Sequence, residues 1–117
     1  IAEARQAMLL QRVSKGADAM SAREALEIAT RGGADVLNRP DCGRIETGKR
    51  ADIAIWDVSG IESAGSWDPA ALLLAGPLRV RDLFVEARQV VRDGHLHTMP
   101  LDSLIAAQHR LVSRLIV

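Results

Sequence analysis

A chain of 117 residues can build one hydrophobic core while burying only about two-thirds of its unfolded surface, so one domain is the ceiling. Its 15 basic and 15 acidic side chains cancel and aromatics make up only 3%, which removes the cationic patches and stacking platforms of nucleic-acid and anionic-membrane binders. Cys42 is the lone cysteine, so no internal disulfide is possible; with no basic-then-apolar leader and no apolar run of about eighteen residues, a reducing cytoplasm is the expected location.

The chain opens on isoleucine, as expected of a processed or cropped polypeptide. Ile1, Ala4, Met8 and Val13 then recur at helical spacing, with Arg5, Gln6, Gln11 and Arg12 between them, which predicts an amphipathic helix ending near Gly16. Ser21 followed by Glu24 is a capping-box start. Ala25, Leu26, Ile28 and Ala29 continue as an apolar stripe that Gly32-Gly33 interrupts, a pair better explained by close helix packing than by a nucleotide, since no phosphate-loop pattern is present. A third short helix, over residues 34–39, stops before Pro40.

Pro40-Asp41-Cys42-Gly43 reads as a turn in which Cys42 is filler, because no histidine lies near it in sequence to activate a thiolate. Gly48 supplies the freedom of a second turn, and from residue 52 to 58 Ile53 and Ile55 alternate with Ala54 and Trp56, the period of a strand. A Gly/Ser-rich loop leads to Trp67-Asp68-Pro69, with Trp67 expected as a packing anchor and a short helix over residues 70–75. Residues 80–85 and 89–93 favour strand, joined by a hairpin turn over 86–88. Leu104, Ile105, Leu111, Val112, Leu115 and Ile116 form one apolar face of a final helix capped by Asp102 or Ser103.

His95-Leu96-His97 is the chemically suggestive motif, because alternate strand residues share a face and two imidazoles so placed can share a metal. A zinc site needs a third protein ligand, for which Asp93, Asp102 and His109 are the candidates; the plainer reading, which we favour, is a pair of exposed strand-end residues. Asp41, Asp52, Asp57 and Asp68 stand where turns and strand ends want a short acceptor, and Lys49-Arg50 and Arg79 to Arg81 read as solvated faces. No residue is expected to be catalytic or to bind a cofactor.

The run Gly43-Arg-Ile-Glu-Thr-Gly-Lys-Arg-Ala-Asp-Ile-Ala-Ile-Trp-Asp57 resembles the G-x-(L/I)-x-x-G-K-x-A-D-(L/I) signature near the C-terminus of amidohydrolase-superfamily enzymes. Ala25-Leu-Glu-Ile-Ala-Thr-Arg-Gly-Gly-Ala-Asp-Val-Leu-Asn-Arg39 is similar to the A-L-x-x-A-T-x-x-G-A-x-x-L that precedes it, Asp68-Pro69 to a later D-P, and Val90-Val-Arg-Asp-Gly94 to the closing V-V-x-D-G. Together these span roughly residues 20–97. Glu3-Ala-Arg-Gln-Ala-Met-Leu-Leu-Gln-Arg12 also resembles the branch that holds 8-oxoguanine and guanine deaminases and triazine hydrolases. Where that family places glycine in the hairpin turn, this chain has Ala87.

The resemblance implies a parent TIM barrel that binds one divalent metal such as zinc through an H-x-H, later histidines and an aspartate, none of which has a match here. In such an enzyme a water attacks the ring carbon that loses ammonia. The expected architecture is therefore α+β: N-terminal helices (1–40), a β-rich part with an antiparallel hairpin (41–97) and a C-terminal amphipathic helix (100–117), forming a single domain or fragment. It would be the non-catalytic tail of that parent, its strands completing a composite β-sandwich. Its expected partners are the missing barrel portion or further copies of itself, with no nucleic acid and no membrane. Two alternatives are a free-standing oligomeric interaction module derived from the tail and a small metalloprotein built on His95 and His97.

Overall fold

The Ser21 hydroxyl accepts from the Glu24 amide at 3.2 Å, while the Ser21 amide donates to Glu24 Oε2 at 2.7 Å, so the expected capping box closes and starts a helix. The computed structural model describes residues 1–115 and places this helix, α2 (Ala22–Glu27), after α1 (Ala2–Lys15). α1 ends where Gly16 takes φ 110° and its amide donates back to Arg12 O. Beyond α2 the helix does not break at the glycine pair. It widens into one π-helical turn (Ile28–Gly32) and resumes as α3 (Gly33–Val36). The Thr30 hydroxyl donates to Leu26 O at 2.7 Å, four residues back, and so competes with the backbone ladder at this turn.

Close helix packing does not explain the pair: a Cβ at Gly32 would make only ordinary contacts and one at Gly33 would meet open space. The third helix is also shorter than expected, because Asn38 adopts φ 51° and the chain turns, with the Arg39 amide donating to Ala34 O.

α4 (Pro69–Ala75) begins with Pro69 in its first turn and Asp68 as cap, the carboxylate accepting from the Ala70 amide at 3.2 Å and from Arg23 Nη2 of α2 at 2.7 Å. Ala4 and Met8 of α1, Ala25 of α2 and Leu74 of α4 form the buried cluster, with Met20, Ala22 and Leu26 packed against it. Leu74 is 1% exposed, and burial of a leucine to that degree contributes about 2 kcal/mol. Trp67, expected as a packing anchor, is 91% exposed. It stands outside the cluster because the ring precedes the helix that Asp68 caps.

Among the described residues four strands, the first of them ahead of α4 in the chain, pair in simple antiparallel order: β1 (Ile53–Asp57), β2 (Arg79–Val85), β3 (Arg88–Arg92) and β4 (His95–Leu96). Ile53 faces Phe84 and Val85 faces Arg88, with bulges at Ile55/Trp56 and Leu83/Phe84. The expected hairpin is present, but its turn is tighter than 86–88. Only Glu86 and Ala87 turn, both in the left-handed region at φ 51° and 64°, and Arg88 already lies in β3. Asp93 and Gly94 make the next turn in the same way, at φ 49° and 77°.

α5 (Leu101–Leu115) closes the described chain. Asp102 lies inside its first turn and Ser103 further in, so neither caps it; Ile116, assigned to its apolar face from sequence, lies outside the described residues.

The helices pack chiefly among themselves and the strands pair among themselves. No side chain of β1 to β4 and none of α5 is buried. The consequence is an open molecule: the radius of gyration is 17.4 Å, where a compact domain of this length has about 13 Å. The accessible surface is 9081 Å², where a folded monomer of 12.6 kDa exposes about 6,200 Å².

Candidate functional site

The turns of the sheet are built by aspartates reaching across from neighbouring strands. Asp52, just before β1, accepts from the Glu86 amide through Oδ1 at 2.7 Å, while the Ala87 amide donates to Ala51 O at 3.0 Å. Asp82 of β2 serves the next turn, its Oδ1 accepting from the Asp93 amide at 3.4 Å and from Gln89 Nε2 at 3.1 Å, while the Gly94 amide donates to Arg81 O at 2.8 Å. The Arg81 guanidinium, bonded to Asp82 Oδ2 at 2.8 Å, is the first cause holding the Asp82 carboxyl below its ordinary range. Sequence reasoning placed Asp52 as a local acceptor and missed Asp82 altogether. The only signal for Asp82 is an acid in the middle of a strand whose other charged residues, Arg79 and Arg81, are basic.

A second constellation ties the loop before β1 to the helices. Arg39 grips Asp41 with two bonds, Nε to Oδ1 at 2.8 Å and Nη2 to Oδ2 at 2.9 Å, and this grip holds the carboxyl far below its usual range. Arg50 adds a longer contact to Asp41 at 3.6 Å and also pairs with Glu86, so the ion pairs run from Arg39, in the turn after α3, to the hairpin turn. Cys42 lies beside them, 3.4 Å from Arg39 Nη2 and 3.9 Å from Asp52 Oδ2. Lys49 Nζ donates to Pro40 O at 2.7 Å. Gly43, at φ 81°, passes so close to the helices that a Cβ would sit 2.9 Å from both Thr30 O and the Ala34 Cβ. Asp57 and Asp68 are occupied too: Asp57 takes the Ser59 hydroxyl at 2.6 Å and its amide at 2.9 Å, bonds that lower its pKa, and Asp68 caps α4.

His95 and His97 are exposed. The His95 ring stands 2.8 Å from Asp93 O through Nδ1, and the His97 amide donates to Val90 O at 2.9 Å. Neither Asp93, Asp102 nor His109 joins them: among the described residues no three His, Cys, Asp or Glu side chains come close enough to hold a metal ion. An open basin of about 790 Å³ on the sheet is lined by Asp57, Arg79, Arg81, Asp93 and His95 among others. Three of its polar groups are already engaged: Asp57 by Ser59, Arg81 by Asp82 and His95 by the turn backbone. A more apolar groove of about 510 Å³ runs between α1 and the sheet, lined by Ile1, Leu9, Trp56, Pro77 and Leu78 together with Arg5 and Gln6.

Residues 1–96 match the profile of the amidohydrolase family. The chain belongs to the amidohydrolase family. It is 40% identical over 117 residues to 8-oxoguanine deaminase of Pseudomonas aeruginosa, covering 99% of this chain and 26% of that protein. Among solved structures, an adenosine deaminase from Xanthomonas campestris with bound zinc superposes at TM-score 0.89 with 29% identity, covering 96% of this chain and 26% of that one. The atrazine chlorohydrolase of Arthrobacter aurescens complexed with zinc superposes at 0.85 with 34% identity, covering 94% and 25%. This amidohydrolase chain thus spans about a quarter of the length of the relatives it matches.

The two zinc-bearing relatives raise the question of whether this segment offers a metal site, and its residues do not fit one. Two exposed imidazoles without a third donor fall short of the three or four protein ligands that zinc takes. Nor, among the described residues, is any helix long and apolar enough to cross a membrane.

Proposed function

We propose that this chain is the non-catalytic C-terminal portion of a metal-dependent amidohydrolase, whose whole-protein reaction is hydrolytic deamination of a purine-like or triazine-like ring. In that reaction water adds to a ring carbon, a proton moves to the departing nitrogen, and ammonia leaves as the carbonyl forms. The segment supplies structure: α1 to α4 buttress a TIM barrel, and β1 to β4 complete a composite β-sandwich with strands from elsewhere in the polypeptide. The observation that carries this reading is the uncovered sheet. It has paired strands and no buried side chain, and β1 has a pairing partner on one edge only. An isolated sheet of that kind lacks the apolar burial that makes sheets stable, so it is read as half of a larger packing unit. The excess surface of about 2,900 Å² is the size expected of an interface that belongs inside one fold.

The experiment compares this chain alone with the longer protein that carries it, each supplied with zinc and with 8-oxoguanine, guanine or an amino-triazine, reading ammonia release. The chain alone is expected to release none, and the longer protein to release it from one of these rings. Turnover by the chain alone would refute the non-catalytic reading; no turnover of any of these rings by the longer protein would refute the deaminase parent.

A further inference from the structure

Among the described residues no hydrogen bond or ion pair joins α1 to α4 directly to β1 to β4. Residues 39–52 bridge the two parts instead. On the helix side, Gly43 lies so close to Thr30 O and Ala34 that a Cβ would clash, and Arg39, in the turn after α3, holds Asp41 with two bonds. The stretch then closes on itself. The Arg50 amide donates to Asp41 O at 2.8 Å, Lys49 Nζ donates to Pro40 O at 2.7 Å, and the Arg50 guanidinium reaches the Asp41 carboxylate at 3.6 Å.

On the sheet side three consecutive residues grip the turn between β2 and β3. The Arg50 guanidinium pairs with the Glu86 carboxylate, Ala51 O accepts from the Ala87 amide at 3.0 Å, and Asp52 Oδ1 accepts from the Glu86 amide at 2.7 Å. This is the turn whose two residues, neither of them glycine, stand at φ 51° and 64°. Backbone held in a sparsely populated region persists only where its surroundings over-determine it, and here the gripping contacts come from a segment seated on the helices. An isolated exposed ion pair contributes little. Asp41 and Arg50, however, are each shared by two contacts of one network, so the loss of one contact is felt at the next.

We infer that residues 39–52 are a strap that keeps the β2–β3 turn left-handed only while the strap is seated on α3, so that a displacement at the helices reaches the sheet as release of this turn. The turn is the two-state element: gripped, it is left-handed; ungripped, it relaxes, because neither Glu86 nor Ala87 favours that region by itself. Asp41 bonds no residue of the turn, and its influence there passes through Arg50.

The test uses the longer protein that carries this chain and reads hydrogen exchange at the Glu86 amide. Asp41→Asn removes the charge that Arg39 and Arg50 share, and is expected to speed exchange of that amide about tenfold with the amides of α2 unchanged. Arg50→Gln, which cuts the strap in its middle, is expected to do the same. In an Ala87→Gly background, where the left-handed turn holds with less help, Asp41→Asn is expected to speed the Glu86 amide by less than about threefold. An unchanged Glu86 amide in either variant overturns the inference, since the turn would then be held by its own strands or by the rest of the fold. Equal acceleration in α2 overturns it too, as general destabilisation. So does a full tenfold effect in the Ala87→Gly background, which would show that strain in the turn plays no part.

Discussion

Ala87 and Glu86 are consecutive non-glycine residues held at φ 64° and 51°, a conformation that costs an L-residue about 1–2 kcal/mol. What stabilises them is the satisfaction of both turn amides from the strand next door, Glu86 by the Asp52 carboxylate and Ala87 by Ala51 O. Ala87→Gly is therefore expected to raise stability by about 1 kcal/mol, and Asp52→Ala to lower it by about 1 kcal/mol, both read as shifts in the urea midpoint at unchanged slope. A destabilising Ala87→Gly would mean that the turn is not left-handed. The strain was legible, since the resemblance predicts glycine where Ala87 stands; its relief was not, because Asp52 lies 34 positions away in sequence. His95 and His97 follow the same logic. Their alternation is a local pattern that sequence shows, whereas the absence of a third donor depends on where Asp102 and His109 of α5 end up in space.

At the scale of elements, periodicity located the helices and strands because each is a local property: the capping box at Ser21, the alternation at Ile53 to Trp56 and the stripe of α5 all form where their spacing places them. The glycines were harder to read, since a glycine pattern does not say which position approaches a neighbour. Gly32, in the π-helical turn, and Gly33, at the start of α3, have helical backbone angles and room around them, while Gly43 is the one pressed against the helices. Gly43 and Gly48 have nearly equal φ, 81° and 86°, but a Cβ at Gly48 would meet nothing. Gly48→Ala should thus cost only the backbone strain, about 1 kcal/mol, whereas Gly43→Ala adds a clash with Thr30 O and Ala34 and should cost about 3 kcal/mol. Chemical denaturation of the two variants side by side separates these contributions. Equal losses would show that the loop does not pack on α3 as described.

Across the whole molecule, the mixture of helices and antiparallel strands was legible in the sequence, but the lack of a shared core was not. Apolar alternation marks a strand face that is covered by something without specifying what covers it. Here the buried cluster belongs to α1, α2 and α4, while the strands contribute nothing to it. Local opening free energy follows burial, so the two regions of the isolated chain should differ in protection: amides of α1 and α2 are held by packed side chains, and those of β1 to β3 by ladder hydrogen bonds beside exposed or half-exposed residues. In hydrogen exchange, the β-strand amides of the chain alone are expected to exchange at least about tenfold faster than in the longer protein, a change that takes only about 1.4 kcal/mol of added stability. Amides of α2, which sit on the internal cluster, should change less than those of the sheet. Equal sheet protection in both forms would show that these strands need no partner, and the composite packing proposed for them would fall.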